Sequence, residues 1–344
     1  MGHMRVLGVE TSCDETAAAV IEDGTSVLSN VVASQAELHA RFGGIVPEVA
    51  SRQHLVTIVP TFRQALEDAA MEAGQLDAVA VTHGPGLAGS LLIGVNAAKG
   101  LALANGLPFI GVNHLEGHIY AAWLEDAEPE SRPGFPLLCL IASGGHTDLI
   151  VMEAHGRFKL VGRTRDDAAG EAFDKAARVL GLGFPGGPEI QRVAENGTGD
   201  EPRFTRPRVR DSLDFSFSGL KTAVLRRAEE RGIYPPPLEG APDPQRVADV
   251  AAAFQEAAVD TMVHRAIEAA KLFEAKGIIL GGGVAANRLL RDEMRKRSPV
   301  QVVVPRPELC TDNGAMIGAA AYFTLRHEMA AQWDLDVVPD LRLG

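Results

Sequence analysis

The sequence lacks paired cysteines, long apolar runs and an excess of basic residues, and each absence excludes a class of protein. Three cysteines occur in 344 residues. They are far apart, which excludes a disulfide framework and predicts a reducing, cytoplasmic location. No segment approaches the roughly 18 apolar residues of a membrane helix, so we expect no membrane span. The net charge of −12 excludes a uniformly basic surface for nucleic acid, although local basic patches stay open.

Several catalytic signatures are missing as well. The chain contains no G-x-x-x-x-G-K-[ST] segment, no C-x-x-C pair and no ordered Ser-His-Asp set. It is therefore not a P-loop protein, and we predict no covalent nucleophile. The H-E-x-x-H pattern of zinc proteases is also absent, because Leu115 stands in its second position and Glu116 comes one residue late.

A repeated strand pattern indicates two lobes of like topology. The order strand, polar loop, strand, turn, strand occurs at 5–32 and again at 137–163. Between and after these units lie alternating helices and strands, which predict an α/β protein. We expect helices at 65–73 and 313–329, among others.

The predicted lobes follow from the two strand units. The first lobe is expected at 4–133 and the second at 134–313. A C-terminal helix at 314–344 is expected to pack back on the first lobe. Each lobe presents a hairpin loop toward a common cleft, where ligands bind in proteins of this kind.

Two histidines four residues apart form a candidate metal site. In H-L-E-G-H the spacing places His114 and His118 on one helix face, near enough to share a metal ion. Ordinary contacts at the start of a helix are the alternative. Two ligands are too few, so a carboxylate must come from elsewhere. Asp312 is the candidate, although its position at a strand-to-helix junction favours a plain N-cap.

Three glycine-rich turns indicate contact with phosphate or a nucleotide. They are S-G-G-H-T at 143–147, G-F-P-G-G at 183–187 and G-G-G at 281–283. Glycine lets backbone N–H groups approach an anion closely, and a helix N-terminus favours negative charge. Each of these turns, taken alone, is also common in unrelated α/β proteins. Together, in two similar lobes, they predict a nucleotide cleft.

Eight motifs occur in one order over nearly the whole chain. They are E-T-S-C-D-E-T (10–16), H-L-E-G-H (114–118), S-G-G-H-T (143–147), G-E-A-F-D-K (170–175), F-P-G-G-P (184–188), F-S-F-S-G-L-K-T (215–222), G-G-G-V-A-A-N (281–287) and C-T-D-N-G-A-M (310–316). In this combination the chain resembles the bacterial tRNA N6-adenosine threonylcarbamoyltransferase (TsaD) family. The joint match is specific, although no single motif is.

The resemblance implies a fold and a reaction. The fold is the two-lobed actin/Hsp70-like ATPase fold, with ribonuclease-H-like lobes and a nucleotide cleft between them. The reaction transfers the threonylcarbamoyl group from threonylcarbamoyl-AMP to N6 of adenosine 37, in tRNAs that read codons starting with A, and releases AMP. The mixed anhydride is already activated, so charge stabilisation by a metal suits this chemistry better than a protein nucleophile.

The resemblance also implies roles for individual residues. It supplies Asp312 as the third metal ligand, with iron as the expected metal and zinc or magnesium as alternatives. Asp174 would accept ribose hydroxyls, and Asn287 would meet the adenine. Gln191 stands where the family often has an acidic residue, so it would bind the ribose without a charge. The full set of expected contacts to the adenylate, or to ATP, is Ala142, Ser143, Gly144, Gly145, His146, Asp174, Gly187, Gln191 and Asn287.

Partners and alternatives complete the expectations. The family implies tRNA, a paralogous protein that dimerises through the first lobe, and a small ATPase. Four arginines at 203, 206, 208 and 210 predict contact with tRNA phosphates, with a solvated basic face as the alternative. A metalloprotease, a small-molecule carbamoyltransferase and a non-catalytic ATPase-like scaffold of the same fold remain competing functions at this point.

Overall fold

The structure, a computed structural model, describes residues 3–125, 133–206, 209–236, 240–326 and 333–343. The chain divides into two compact units. Unit 1 contains Met1–Gly134, Met152–Phe158 and Pro305–Gly344, and unit 2 contains Phe135–Val151 and Lys159–Val304. Residues 305–313, which the sequence pattern assigns to the second lobe, thus belong to unit 1. Arg208 and part of 314–344 lie outside the described residues.

Unit 1 is built on a five-stranded mixed sheet. Its strands are β1 (Arg5–Glu10), β2 (Glu15–Glu22), β3 (Ser26–Ser34), β4 (Ala78–Gly84) and β5 (Phe109–Asn113). They lie in the order β3-β2-β1-β4-β5, with β1–β2 and β2–β3 antiparallel and β1–β4 and β4–β5 parallel. The central strand β1 is covered on both faces, which explains its nearly continuous apolar run.

The helices of unit 1 cover both faces of this sheet. They are α1 (Ala36–Ala40), α2 (Pro47–Asp68), α3 (Ala88–Asn105), α4 (His114–Tyr120), α10 (Pro307–Cys310) and α11 (Gly314–Leu325). The expected helix at 65–73 is wrong in its bounds, because α2 begins with Pro47 at its first turn and has ended by Ala70, whose φ is +51°. Helix α11 ends at Leu325, and residues 333–343 are not helical.

Helix α11 lies against β1 at a distance that only glycine allows. A Cβ at Gly8 would fall 2.2 Å from the carbonyl oxygen of Gly314 and 2.4 Å from the nitrogen of Gly318. Helix α4 also lies close to α11, since a Cβ at Gly117 would meet the Ile317 side chain at 2.8 Å. The backbone contact at Gly8 fixes the start of α11 relative to β1, and side chains of α11 pack against Gly117 of α4.

Unit 2 repeats the sheet topology of unit 1. Its sheet consists of β6 (Leu137–Ala142), β7 (Thr147–Ala154), β8 (Arg157–Arg163), β9 (Gly277–Gly281) and β10 (Gln301–Val303). The strand order is β8-β7-β6-β9-β10. Strand for strand, this is the order β3-β2-β1-β4-β5 of the first sheet. The predicted repetition of one strand unit is confirmed.

The helices of unit 2 carry most of its remaining residues. They are α5 (Ala169–Val179), α6 (Gly186–Ala194), α7 (Ser218–Glu230), α8 (Pro244–Leu272) and α9 (Arg288–Arg297). Helix α8 is 29 residues long and is buried along much of its length, with small alanines at many of its contact positions. Among the residues that the structure describes, no helix combines the length and apolar character that a membrane span needs.

Candidate metal centre and nucleotide-binding site

Helix α4 carries both predicted histidines. Asn113, the last residue of β5, caps the helix, because its side-chain oxygen accepts a 2.9 Å hydrogen bond from the Leu115 nitrogen. The helix therefore begins at His114, and His118 lies one turn later. Their rings meet edge to face, with centroids 4.7 Å apart.

Asp312 faces the two histidines from the turn between α10 and α11. Its Oδ1 lies 3.2 Å from His118 Nε2 and 3.6 Å from His114 Nε2. The N-cap of α11 is Asn313, whose Oδ1 accepts a 3.0 Å bond from the Met316 nitrogen. The plain N-cap expectation for Asp312 is therefore wrong, since its neighbour has that role.

The three side chains form a cluster that can hold a metal ion. One ligand atom from each of His114, His118 and Asp312 lies within 4.8 Å of the others. His118 is fully buried, and neither of its ring nitrogens has an aligned hydrogen-bond partner among the described residues. Buried polar atoms are rarely left unpaired. A bound cation would satisfy Nε2, so the residues fit a metal.

The charges around the cluster also favour a cation. Burial lowers the pKa of His114, but Asp312 and Glu10 outweigh it and raise the pKa to about 9. Burial and the nearby carboxylates of Asp312 and Asp14 raise the pKa of Glu15 to about 10. Several carboxylates thus share a poorly solvated region, where a positive ion would relieve their mutual repulsion.

Sequence reasoning missed the residues behind His114. Its Nδ1 lies 3.0 Å from Glu10 Oε2 and 3.2 Å from Ser12 Oγ. The same Glu10 oxygen accepts a 2.5 Å bond from Thr82 Oγ1. Glu10 and Ser12 belong to the motif at 10–16, and the one available signal was a glutamate at the end of an otherwise apolar strand.

In unit 2, the turn after β6 holds the first predicted nucleotide contacts. Ala142 ends the strand, and the turn closes with a 2.8 Å bond from the Ser143 nitrogen to the His146 carbonyl oxygen. Gly144 and Gly145 are exposed, and a Cβ on either would meet no atom within 4 Å. The turn thus presents backbone to open space, as an anion-binding turn must.

Helix α5 is tied to this turn and carries Asp174. The nitrogen of Gly170 donates a 3.0 Å bond to the Ser143 carbonyl oxygen, and a Cβ at Gly170 would lie 2.6 Å from that oxygen. Asp174 Oδ1 accepts a 2.7 Å bond from the Gly186 nitrogen at the start of α6. Gly187, the next residue, again has open space where a Cβ would be.

The remaining contacts meet at the start of α9. Gln191 Oε1 accepts a 2.7 Å bond from the Arg288 nitrogen, and Asn287 caps α9 by accepting from the Leu290 nitrogen at 3.0 Å. Asn287 Nδ2 donates to Gln255 Oε1 at 2.8 Å. Gln255, a buried residue of α8, was not predicted, and nothing in its helical pattern distinguishes it from a core position.

Gly282, which follows β9, packs against the end of β6. Gly282 has φ +84°, and a Cβ there would lie 2.4 Å from the Ala142 carbonyl oxygen. Shared contacts thus link the predicted set in two groups: the turn at 143–146 with α5, α6 and Gly282, and Gln191 with the start of α9.

Comparison with known proteins identifies relatives of this chain. The sequence profile of the family described as tRNA N6-adenosine threonylcarbamoyltransferase matches residues 26–319. A protein of that name from Thermomicrobium roseum is 54% identical, over 99% of this chain and 97% of its own length. One from Dehalococcoides mccartyi is 52% identical, over 98% of this chain and 99% of its own.

Solved structures with low sequence identity share the fold. HypF from T. kodakarensis aligns with a TM-score of 0.61 and 15% identity, over 94% of this chain and 48% of its own. Component A of (R)-2-hydroxyglutaryl-CoA dehydratase from Acidaminococcus fermentans gives a TM-score of 0.55 and 16% identity, over 94% and 98%. With the sheet order of each unit, these matches confirm the predicted actin/Hsp70-like α/β fold.

Proposed function

Because the chain belongs to the tRNA N6-adenosine threonylcarbamoyltransferase family, we propose that it transfers a threonylcarbamoyl group from threonylcarbamoyl-AMP to N6 of adenosine 37 in tRNAs that read codons starting with A. The product is t6A. The N6–carbon bond forms as the bond between the carbonyl carbon and the phosphate oxygen breaks, AMP leaves, and the amine gives up a proton. The His114, His118 and Asp312 cluster is the observation that carries the proposal.

His114, His118 and Asp312 would hold the metal. Two imidazoles and one carboxylate, with open positions, suit Fe(II), and the same donor set also suits zinc. When bound, the metal supplies a Lewis acid for the oxygens on which charge develops. We propose iron, and metal analysis of the purified protein by mass spectrometry tests that choice. His118→Ala should lose most of the metal, because one of three protein ligands is removed.

Residues of unit 2 would bind the nucleotide part of the donor. The open turn at 143–146 offers backbone N–H groups to the phosphate, and Asp174 offers carboxylate oxygen to the ribose hydroxyls. Asn287 is at the start of α9, where it would meet the adenine, and Gln191 of α6 contacts the same helix start. Their anchored side chains support this role, because a pre-ordered site loses little conformational entropy when the ligand binds.

An apolar surface on unit 1 supports the proposed dimerisation partner. Leu55, Val56 and Val59 on α2 have 58–67% of their surface exposed, and Leu103 on the neighbouring α3 has 70%. Exposed apolar patches of this kind mark protein–protein contacts. A paralogous protein bound there would cover them, and the chain alone should be weakly active. The small ATPase stays a prediction.

The test is a transfer assay with the partner proteins present. Premade threonylcarbamoyl-AMP and tRNA should give t6A, detected by mass spectrometry of nucleosides, and AMP in equal amount. A tRNA with guanosine at position 37 is the matched control and should give neither. AMP release that does not depend on tRNA would instead support a small-molecule carbamoyltransferase.

A further inference from the structure

We infer that Glu10 is a positioning residue for His114: its carboxylate keeps the imidazole proton on Nδ1 and so leaves Nε2 as the metal-binding atom. The inference rests on the proposed metal centre. It deepens that proposal by naming the residue that fixes one ligand in its binding form.

Glu10 is surrounded by hydrogen-bond donors. It ends β1 and is fully buried. Its Oε1 accepts a bond from the Ser12 nitrogen, and its Oε2 accepts bonds from Thr82 Oγ1 at 2.5 Å and from His114 Nδ1 at 3.0 Å. A buried carboxylate is costly unless it is hydrogen-bonded, and these three donors offset that cost.

The sheet places Glu10 and Thr82 side by side. Strands β1 and β4 are parallel, and Val9 lies opposite Val81. The next residue of each strand is therefore Glu10 and Thr82. Helix α4 then brings His114 over the ends of these strands. The Glu10–His114 contact joins residues 104 positions apart and follows from this register.

The chemistry of the contact decides which nitrogen carries the proton. Glu10 Oε2 already accepts the bond from Thr82 Oγ1 and is an acceptor toward His114 as well, so Nδ1 of His114 is the donor in their contact. Ser12 Oγ, at 3.2 Å from the same nitrogen, can donate or accept and imposes no choice. With a proton held on Nδ1, Nε2 is the ring nitrogen whose lone pair a metal would use in place of the other ring proton. That atom is the one that faces Asp312, at 3.6 Å.

His118 offers an internal contrast. Its Nδ1 has no hydrogen-bond partner among the described residues, so no comparable group fixes its tautomer. Among the described residues, only His114 of the two histidines therefore has a partner that orients its ring through Nδ1. Partners of this kind, behind a metal ligand, commonly change metal affinity about 10- to 100-fold when they are removed.

Glu10→Gln separates this role from simple packing. The amide keeps the size of the side chain but has one oxygen. If that oxygen takes the Oε1 position, the NH2 group faces His114 and forces its proton onto Nε2, which can then no longer bind a metal. If the oxygen takes the Oε2 position, the NH2 group opposes the Ser12 N–H and two donors lose their acceptor, which disfavours this orientation; in the first one the Thr82 hydroxyl can turn to accept. Thr82→Val is the matched control, because it removes a neighbouring bond to Glu10 and leaves the bond to His114.

The experiment titrates metal-free protein with Co²⁺ and follows the visible absorption of the bound ion. We expect Glu10→Gln to bind Co²⁺ about 10- to 100-fold more weakly than wild type, whereas Thr82→Val binds close to the wild-type value. Thermal unfolding checks that each variant is folded. Wild-type affinity in folded Glu10→Gln would overturn the inference and leave the metal centre intact.

A second measurement decides the question if Glu10→Gln does not fold. In zinc-loaded wild-type protein, ¹⁵N spectra of the histidines should show a proton on His114 Nδ1 and zinc on Nε2. Zinc on Nδ1 would overturn the inference. Failure of the wild type to bind either ion would overturn the metal centre itself, and the two failures are thereby distinguished.

Discussion

Gly145→Ala should stabilise the protein and weaken nucleotide binding at the same time. A Cβ at Gly145 meets no atom within 4 Å, so the folded state gains no clash. Alanine also restricts the unfolded chain, which stabilises a protein by about 0.4–1 kcal/mol where the backbone permits it. The open space that makes the change harmless to the fold is the space proposed for phosphate.

The effect on binding follows from the bonds at risk. A hydrogen bond to a charged group contributes about 1.5–3 kcal/mol, so loss of one phosphate contact should weaken AMP binding by about 10- to 100-fold. Isothermal titration calorimetry with AMP measures this affinity, and urea unfolding measures stability. Wild-type affinity in Gly145→Ala would remove the turn at 143–146 from the nucleotide site.

Two matched substitutions complete the experiment. Gly100→Ala in α3 also places its Cβ in open space, and it should stabilise by about 0.5–1 kcal/mol without any change in AMP affinity. Gly170→Ala places its Cβ 2.6 Å from the Ser143 carbonyl oxygen and should destabilise by about 1–3 kcal/mol, because backbone must move. A stable Gly170→Ala variant would contradict the packing of α5 on the turn.

Three further predictions concern charge. Asp174→Ala should weaken AMP binding by at least about tenfold, whereas Asp174→Asn should keep the bond from the Gly186 nitrogen and lose only the charge. Equal AMP affinity for Asp174→Ala and wild type in calorimetry would refute the ribose contact. Burial raises the pKa of Asp148 to about 6, against a smaller opposing effect of Arg163. The fold therefore favours the protonated acid, and the stability of the wild type falls as pH rises through 6. In urea unfolding, Asp148→Asn should be more stable than wild type by up to about 3 kcal/mol at pH 8 and equal to it at pH 3. A constant difference across pH would contradict the assignment. Arg206 is bound to Asp260, whereas Arg210 is exposed and Arg203, also exposed, has only a 3.5 Å contact from its Nε to Glu256 Oε2. Arg203→Ala with Arg210→Ala should therefore lower the salt slope of tRNA binding by about two, measured by fluorescence anisotropy in the complex with the partner proteins. An unchanged slope would place the RNA surface elsewhere.

The sequence predicts the sheets better than the helices that cover them. Each strand unit is short and local, so its pattern of apolar runs and polar turns is visible without tertiary information. Helix α2 is harder, because Leu55, Val56 and Val59 are apolar on the solvent side and Pro60 lies inside the helix. Apolar residues on both faces remove the periodicity that would identify it.

The candidate site also contains residues that the sequence predicts and residues that it does not. The spacing of His114 and His118 is a local helical property and could be recognised directly. Asp312 and Asn313 are adjacent and both suit an N-cap, so the pattern alone could not say which one faces the histidines. Glu10 and Gln255 were not predicted, because each acts on a residue far away in sequence, and only the fold brings the pair together.

The discontinuous course of unit 1 has a consequence for synthesis of the protein. Unit 2 ends at Val304, so all of its residues are synthesised before Asp312. In unit 1, by contrast, the sheet surface at Gly8 is covered only after α11 has been made, because Gly314 and Gly318 of that helix pack against it. Asp312, the proposed third metal ligand, is thus made after the whole of unit 2. A chain that stops before 305 contains the proposed nucleotide contacts of unit 2 but lacks Asp312, one of the three ligands of the proposed metal centre.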